Sequence, residues 1–285
     1  SLGGNDSGTV INTAGAKTLY IRPTSATGTL VFTPLGTGDW VGTIDNVTIY
    51  AVAASTADMA VQSSNGVSNQ IEVRSGNASL NNQFIGNRSG INNTIGYGNV
   101  GFGLNALLYN TDGNYNTATG FQVLLNNTSG GSNVAYGYES LRNNTVGSHN
   151  AAFGMQTLRN NINGNNNTAF GSAALFSGTS VQSNTAIGNA ALYNMQSGNN
   201  NIAIGTLAGY FDNANSPLVG ANNSVFLGYS SKASASNNTN EIVIGYNALG
   251  NGSNSVTLGN TSVTKTILQG SVGIGTASPG EKLEV

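Results

Sequence analysis

Asn184-Thr185-Ala186-Ile187-Gly188-Asn189-Ala190-Ala191-Leu192-Tyr193 is followed, 17 positions after its first residue, by Asn201-Ile202-Ala203-Ile204-Gly205. The pattern Asn-x-Ala-h-Gly, with h an apolar residue, recurs with small variations at that interval through the middle of the chain. Its glycines are Gly86, Gly103, Gly120, Gly137, Gly154, Gly171, Gly188 and Gly205. Four positions before them stand Asn82, Asn99, Asn116, Asn133, Asn150, Asn167, Asn184 and Asn201. Four positions after most of them stand Leu107, Leu124, Leu141, Leu158, Leu175 and Leu192. A fixed period of this size belongs to stacked folds, in which each repeat packs mainly on its neighbours.

Within one unit, Asn167-Thr168-Ala169-Phe170 reads as a short strand whose successive side chains point to opposite faces. Gly171 then either bends the strand or lets another backbone approach closely. Ser172-Ala173-Ala174-Leu175 is compact, a single helical or irregular turn that places its leucine inward. The Asn/Gly-rich remainder closes the coil, because these residues tolerate left-handed backbone. At about 4.8 Å per coil, roughly eleven coils make a shaft about 50 Å long. Each coil offers few inward apolar side chains, a thin supply for a private core, and a period of 17 is not the multiple of six that a hexapeptide helix needs. The expected solution is a homotrimer, with three chains sharing one core about a common axis.

Composition fits this picture. Charged residues make up 7 % of the chain, against roughly a quarter in average globular proteins. Glycine accounts for 40 of the 285 residues and asparagine for more. The 38 % of hydrophobic residues falls at fixed places, which separates the chain from a disordered polar one. With a net charge of −2 and no basic run, phosphate neutralisation on a nucleic acid is not expected. No cysteine is present, so there is neither a disulfide framework nor a thiolate metal site. No stretch approaches the roughly 20 apolar residues of a membrane span. The chain opens at Ser1 without Met or a secretory signal, as a fragment or processed product would.

Four regions follow from the pattern. Over 1–55, alternating segments such as Lys17–Arg22, Thr29–Thr33 and Gly42–Ala51 predict short antiparallel strands. Residues 56–80 read as a junction in which Gln70–Arg74 can form one strand. The roll is expected over 81–260, with an insertion at Asp212–Asn222 that breaks the period before Gly228, Gly245 and Gly259. The remainder, 261–285, reads as a neck.

Several of these stretches resemble known families. Gly42-Thr43-Ile44-Asp45-Asn46-Val47-Thr48-Ile49 is similar to the closing strand of jelly-roll carbohydrate-binding modules. Residues 1–55 therefore look like the C-terminal part of such a β-sandwich. The units at Asn184–Tyr193 and Asn201–Gly205 resemble the N-x-A-I-G repeats of YadA-like heads, found in trimeric autotransporter adhesins as a left-handed parallel β-roll. The longer 17-residue form, with Ala-Leu after the glycine, looks more like phage tail fibres. The stretch Gly270-Ser271-Val272-Gly273-Ile274-Gly275-Thr276-Ala277-Ser278-Pro279-Gly280-Glu281-Lys282-Leu283-Glu284-Val285 is similar to the segment that leads into an endosialidase-type intramolecular chaperone. The resemblance covers roughly 81–285. It implies an all-β fold: a trimeric left-handed parallel β-roll behind a short antiparallel β-sandwich segment, with a neck leading towards a chaperone or coiled coil.

Catalytic constellations are not evident. His149, the only histidine, lies in the Gly147-Ser148-His149-Asn150 turn, where a coil-connecting role is the expectation. Asp112, Glu139, Asp212 and Glu241 occupy different repeat positions, so no acid/base pair is suggested. Close glycine pairs such as Gly101 and Gly103 follow from the repeat, and no Walker-type phosphate loop occurs. Neither a metal nor a cofactor is expected, and the asparagine column is expected to hydrogen-bond along the stack or to local backbone. One column changes character along the shaft. Five positions after the glycine stand Leu108, Leu125, Arg142, Arg159, Phe176, Tyr193 and Tyr210. If exposed, Arg142, Arg159, Phe176, Tyr193 and Tyr210 form a strip able to stack on sugars or meet anionic glycans; otherwise they pack between subunits. Trp40 and Tyr50 raise the same choice in the N-terminal part, where core packing is the expectation.

The functional expectation is a non-enzymatic structural and receptor-binding segment of a trimeric tail fibre, on a virion or another extracellular surface. It would be a rigid shaft attaching to a cell-surface glycan or protein receptor, joined to other fibre or baseplate proteins. A bacterial trimeric surface adhesin is the second possibility, and a polysaccharide-degrading tailspike the third.

Overall fold

The computed structural model describes residues 59–62, 69–74, 80–278 and 280–284. The β-sandwich segment expected over 1–55, with Trp40 and Tyr50, lies outside the described residues. The described chain is all-β, and its main element is a 13-stranded sheet. An antiparallel hairpin, β1 (Met59–Gln62) and β2 (Asn69–Arg74), begins it, and β2 pairs antiparallel with β3 (Gln83–Ile85). From β3 onward every neighbour is parallel, one strand per coil. The series runs β4 (Val100–Phe102), β5 (Thr117–Thr119), β6 (Val134–Tyr136), β7 (Ala151–Phe153) and β8 (Thr168–Phe170). Next come β9 (Thr185–Ile187), β10 (Ile202–Ile204), β12 (Val225–Leu227), β14 (Glu241–Ile244) and β15 (Ser255–Leu258). Two short parallel pairs stand apart: β11 (Ala221–Asn222) with β13 (Asn238–Thr239), and β16 (Val272–Gly273) with β17 (Leu283–Glu284). This is a parallel β-solenoid of about ten turns, consistent with the β-roll expected from the repeat.

Each three-residue strand turns its central residue, Gly101 in β4, inward and its two flanking side chains outward. Ala118, Ala135, Ala152, Ala169, Ala186 and Ala203 are fully enclosed in that inward column. Phe84, Phe226 and Val243 take the same place towards the two ends. Phe84 lies against Gly101 of the next coil, so one ring fills space that two side chains would otherwise share.

The glycine ending the strand both bends the chain and admits a close backbone. Gly154 has φ +138°, and a Cβ there would sit 2.7 Å from the carbonyl oxygen of Gly171 in the next coil. The following segment is an irregular turn, not a helical one: Gln156 and Leu158 both adopt left-handed backbone, with φ 56° and 50°. Left-handed backbone costs a leucine about 1–2 kcal/mol. Burial of the side chain returns about as much, and Leu107, Leu124, Leu141, Leu158, Leu175 and Leu192 are all fully buried.

A single chain encloses this interior. The shared three-chain core expected from the thin apolar content is therefore not how the coil is filled, because asparagine amides occupy the remaining volume. Asn99, Asn116, Asn133, Asn167 and Asn201 are fully buried. Each column member bonds to the coil before it: the Asn133 N–H and Nδ2 both donate to Asn116 Oδ1, at 3.0 and 3.1 Å, and Nδ2 also reaches the Gly147 carbonyl at 2.9 Å. A second column stands beside it. Asn110, Asn127, Asn144 and Asn161 each donate Nδ2 to the Oδ1 17 residues earlier, at 2.6 to 2.7 Å, starting from Asn93. It ends where Gly178 and Met195 replace the amide.

The insertion lengthens one coil, so that Asn199 bonds to Asn222 across 23 residues in place of 17. Its tip is tied down, with Asp212 Oδ1 accepting the N–H groups of Ala214 and Ser216, both at 2.9 Å, and Asn213 donating to the Gly250 carbonyl at 2.7 Å. After it Ser224, and one coil later Glu241, take the place of the column asparagine. Glu241 is fully buried and accepts the N–H groups of Ser234 and Gly252, each at 3.0 Å, and the Asn238 amide at 3.1 Å.

Candidate functional site

The column five positions after the glycine runs along one flank of the roll. Its first members, Leu108 and Leu125, are buried at 4 % and 6 % exposure, while Arg142, Arg159, Phe176, Tyr193 and Tyr210 are half-buried. The coil spacing brings these five residues into one ladder. Phe176 and Tyr193 stack with centroids 4.9 Å apart and planes 3° off parallel; Tyr193 and Tyr210 follow at 5.3 Å and 23°. Phe211 closes the ladder edge-on against Tyr210 at 4.4 Å, and the Arg159 guanidinium covers Phe176 at 5.7 Å. The rings use their faces on one another and present edges to solvent.

The arginines are held by a residue that the repeat pattern did not single out. Glu139 accepts Arg159 Nε at 2.7 Å and lies 3.3 Å from Arg142 Nε. Gln156 donates to the same carboxylate at 3.1 Å, and Arg142 Nε also donates to Gln122 Oε1 at 3.1 Å. The guanidinium ends reach Asn143 and Asn160, members of a half-buried amide ladder in which Asn126 donates to Asn143 at 3.2 Å and Asn143 to Asn160 at 3.0 Å. Burial by itself pushes the Glu139 carboxyl up. The hydrogen bonds from Arg159 and Gln156 and the two guanidinium charges outweigh it and hold the group below its ordinary value. The cluster of two arginines and one glutamate therefore carries about one net positive charge, and its free hydrogen-bonding capacity is mainly amide and guanidinium N–H.

The signal for Glu139 was present in the sequence: an acid two positions after one repeat glycine, with arginines five positions after that glycine and the next. Comparing carboxylates only with one another hides it. The second asparagine column was equally legible, seven positions after each of the first five repeat glycines, but its members do not precede the conspicuous glycine.

The remaining candidates are separate from the strip. His149 is exposed, sits in left-handed backbone with φ 58° and donates its N–H to the Gly131 carbonyl at 3.0 Å, as a turn residue does. Asp112 accepts the Thr111 hydroxyl at 2.9 Å, and Asp212 and Glu241 hold backbone N–H groups. Among the described residues, no group of three His, Cys, Asp or Glu side chains is placed to hold a metal ion, and no helix is long and apolar enough to cross a membrane.

The outward sheet columns form the other conspicuous surface. Phe102, Tyr136, Phe170, Ile187, Ile204 and Leu227 lie in one line, between 37 % and 58 % exposed. Tyr136, Phe153 and Phe170 stack along it at 5.2 and 5.8 Å. No protein-family model matches this chain, and neither a curated protein nor a solved structure matches it.

Proposed function

We propose that the chain is a structural and receptor-binding segment of a trimeric tail fibre: a stiff, non-enzymatic shaft, its roll left-handed, that holds binding surfaces away from a particle and attaches to a cell-surface glycan or protein. The observation that carries this reading is the pairing of a self-contained rod with an apolar sheet face that runs its length. Contiguous exposed apolar patches on folded chains mark contact surfaces, and this stripe is read as one. Three copies with these faces turned to one axis would cover it and leave the Arg/aromatic strip outside. Avidity then comes from three parallel copies of a weak site.

The strip suits an uncharged polar ligand better than a polyanion. Glu139 offsets one of the two arginines, and the Asn126, Asn143 and Asn160 amides lie alongside. With ring faces occupied, recognition rests on hydrogen bonds to hydroxyls and on contact with ring edges. A bacterial surface adhesin would use the same rod and strip, so the same experiments apply to both readings.

The test is binding of labelled protein to intact cells, with competition by soluble neutral and acidic polysaccharides. Neutral polysaccharides are expected to compete, and Tyr193→Ala is expected to reduce binding at least about tenfold while leaving the particle's mass unchanged. Full retention of binding by Tyr193→Ala and by Arg159→Ala together moves the receptor site off this strip. Shortening of polysaccharide chains on incubation would favour the tailspike reading.

A further inference from the structure

The chain has no cysteine with which to tie one coil to the next. Any covalent tie between coils has to come from another side chain able to couple to its own kind, and tyrosine is present 11 times. Among the described residues tyrosine meets tyrosine at three places. Two of these pairs, Tyr193 with Tyr210 and Tyr229 with Tyr246, stand in repeat columns and stack close to parallel, with centroids 5.3 and 5.6 Å apart. The third pair is built differently.

Tyr97 and Tyr115 lie one position out of the 17-residue register, in the outer turns that follow β3 and β4. Gly98 makes room for the pairing. It stands in left-handed backbone with φ +65°, and a Cβ there would sit 2.8 Å from the Tyr115 ring. That ring therefore lies over Gly98 and meets Tyr97 beside it. Both backbones are tied down: the Tyr115 N–H donates to the Tyr97 carbonyl and the Tyr97 N–H to Asn114 Oδ1, each at 2.9 Å. The ring centroids are 4.8 Å apart and the planes cross at 76°. Hydrogen bonding with the Tyr97 phenol, and then the charge that phenol carries when ionised, raises Tyr115 above its ordinary value, as expected where two hydroxyl edges are turned together. Tyr97 is 42 % and Tyr115 58 % exposed, so both are open to a reagent in solution.

A bond between two phenol rings lies in the plane of each ring and brings the centroids only slightly closer than the 4.8 Å found here. The hydroxyl groups beside such a bond keep the joined planes crossed, as these planes already are. Parallel rings have to leave their stack before the same bond can form.

We propose that Tyr97 and Tyr115 are a site of oxidative cross-linking, joined carbon to carbon beside their hydroxyl groups into a biphenol that staples the first coil to the second. The oxidant is hydrogen peroxide acting through a haem peroxidase. Each phenol gives up one electron and its hydroxyl proton, and the two tyrosyl radicals pair in a bond between their Cε carbons. Each of these carbons then releases its hydrogen as a proton while the ring oxygen takes one up, which restores two phenols. In sum the pair loses two electrons and two protons, and one hydrogen peroxide accepts them to become two waters. The link closes a short loop in the chain and so restricts the unfolded ensemble as well as the folded coils. It belongs to a single chain and does not depend on how many copies associate.

The test is peptide mapping by mass spectrometry after the whole chain is treated with hydrogen peroxide and a haem peroxidase. N-acetyltyrosine in the same reaction conditions shows that the oxidant couples phenols. The expected product is a chain lighter by two hydrogen atoms, with the linkage between Tyr97 and Tyr115. Because these rings are already positioned, the link is expected to form at least about tenfold more readily than one at Tyr193 and Tyr210 or at Tyr229 and Tyr246. Tyr97→Phe and Tyr115→Phe, which keep the ring, are each expected to abolish it, and Tyr229→Phe is expected to leave it intact. In the linked chain, amides between the two tyrosines are expected to exchange hydrogen at least about tenfold more slowly than in the untreated one. Coupling of N-acetyltyrosine without a link between Tyr97 and Tyr115 overturns the proposal. So does a link found only between copies, or one formed equally at all three pairs. Exchange that the link leaves unchanged overturns its role as a staple.

Discussion

Gly154 and Asn127 represent the two ways a single residue holds this fold together. At Gly154 the left-handed φ of +138° and the approach of the Gly171 carbonyl leave no room for a side chain. Gly154→Ala is expected to lower stability by about 2–3 kcal/mol, from backbone strain of the size found at such positions with the displacement of a coil added. A urea unfolding series reads this directly, and a change under about 0.5 kcal/mol contradicts the close packing. At Asn127 the cost is in polar groups. Its amide donates to Asn110 at 2.7 Å and to the Gly130 carbonyl at 2.8 Å, and it accepts from Asn144 at 2.7 Å. Asn127→Leu keeps the branched outline but adds bulk and leaves the buried Asn110 Oδ1 without its donor, so it is expected to cost about 2–4 kcal/mol. Asn126→Leu, in the half-buried ladder next to it, is expected to cost under about 1 kcal/mol. Equal effects at the two positions would show that the inner ladder is not what fills the core. The periodic glycines announced such residues from the sequence alone. That the interior is lined with amide ladders, in place of apolar side chains from three chains, followed only once each asparagine could be placed against its neighbours.

Along the flank strip, titration is the informative probe. Glu139 is held below its ordinary value near 4.5 in the folded chain. A carboxyl depressed in this way contributes stability that is present in full above its unfolded value and is lost as pH falls through the folded one. Thermal unfolding followed from neutral pH downward is therefore expected to show a loss beginning below about pH 4.5. In Glu139→Gln that component is absent: the variant is less stable at neutral pH, where two arginines lose their counter-charge, and its curve is flatter in acid. Parallel curves for the two proteins would remove Glu139 as the strip's organising charge. The strip illustrates what a one-dimensional reading conveys. Arg142, Arg159, Phe176, Tyr193 and Tyr210 were recognisable as one column from their common offset. Whether the rings offered faces or edges depends on their rotamers, and stacking at 4.9 and 5.3 Å decided for edges.

For the molecule as a whole, the decisive quantity is the mass of the native particle. Light scattering is expected to give about three times 28.9 kDa. Phe170→Lys and Ile204→Lys place charges on the outward sheet columns, where each side chain is exposed in the single chain, at 58 % and 38 %. Together they are expected to reduce the mass to one copy while β-rich circular dichroism is retained, because the interior of each roll belongs to one chain. A variant pair that still runs as three copies would place the contact elsewhere. A variant pair that unfolds would show that the single-chain interior does not stand alone.

The sequence by itself determined the period, the strand in each coil, the inward alanine and leucine, and the places where the pattern breaks at the insertion and near Gly259. Those features are local: alternation over three residues, a glycine after them and a return after 17 leave few ways to stack. Tertiary structure alone decided that one chain closes its own core, that Glu139 gathers two arginines, that Ser224 and then Glu241 follow Asn201 in the asparagine column, and that β15 pairs with β14 alone among the described residues. Each depends on which side chains and backbone edges meet across coils. The repeat makes every coil equivalent along the chain, but burial and hydrogen bonding are settled by the coil that lies next to it, or by the lack of one.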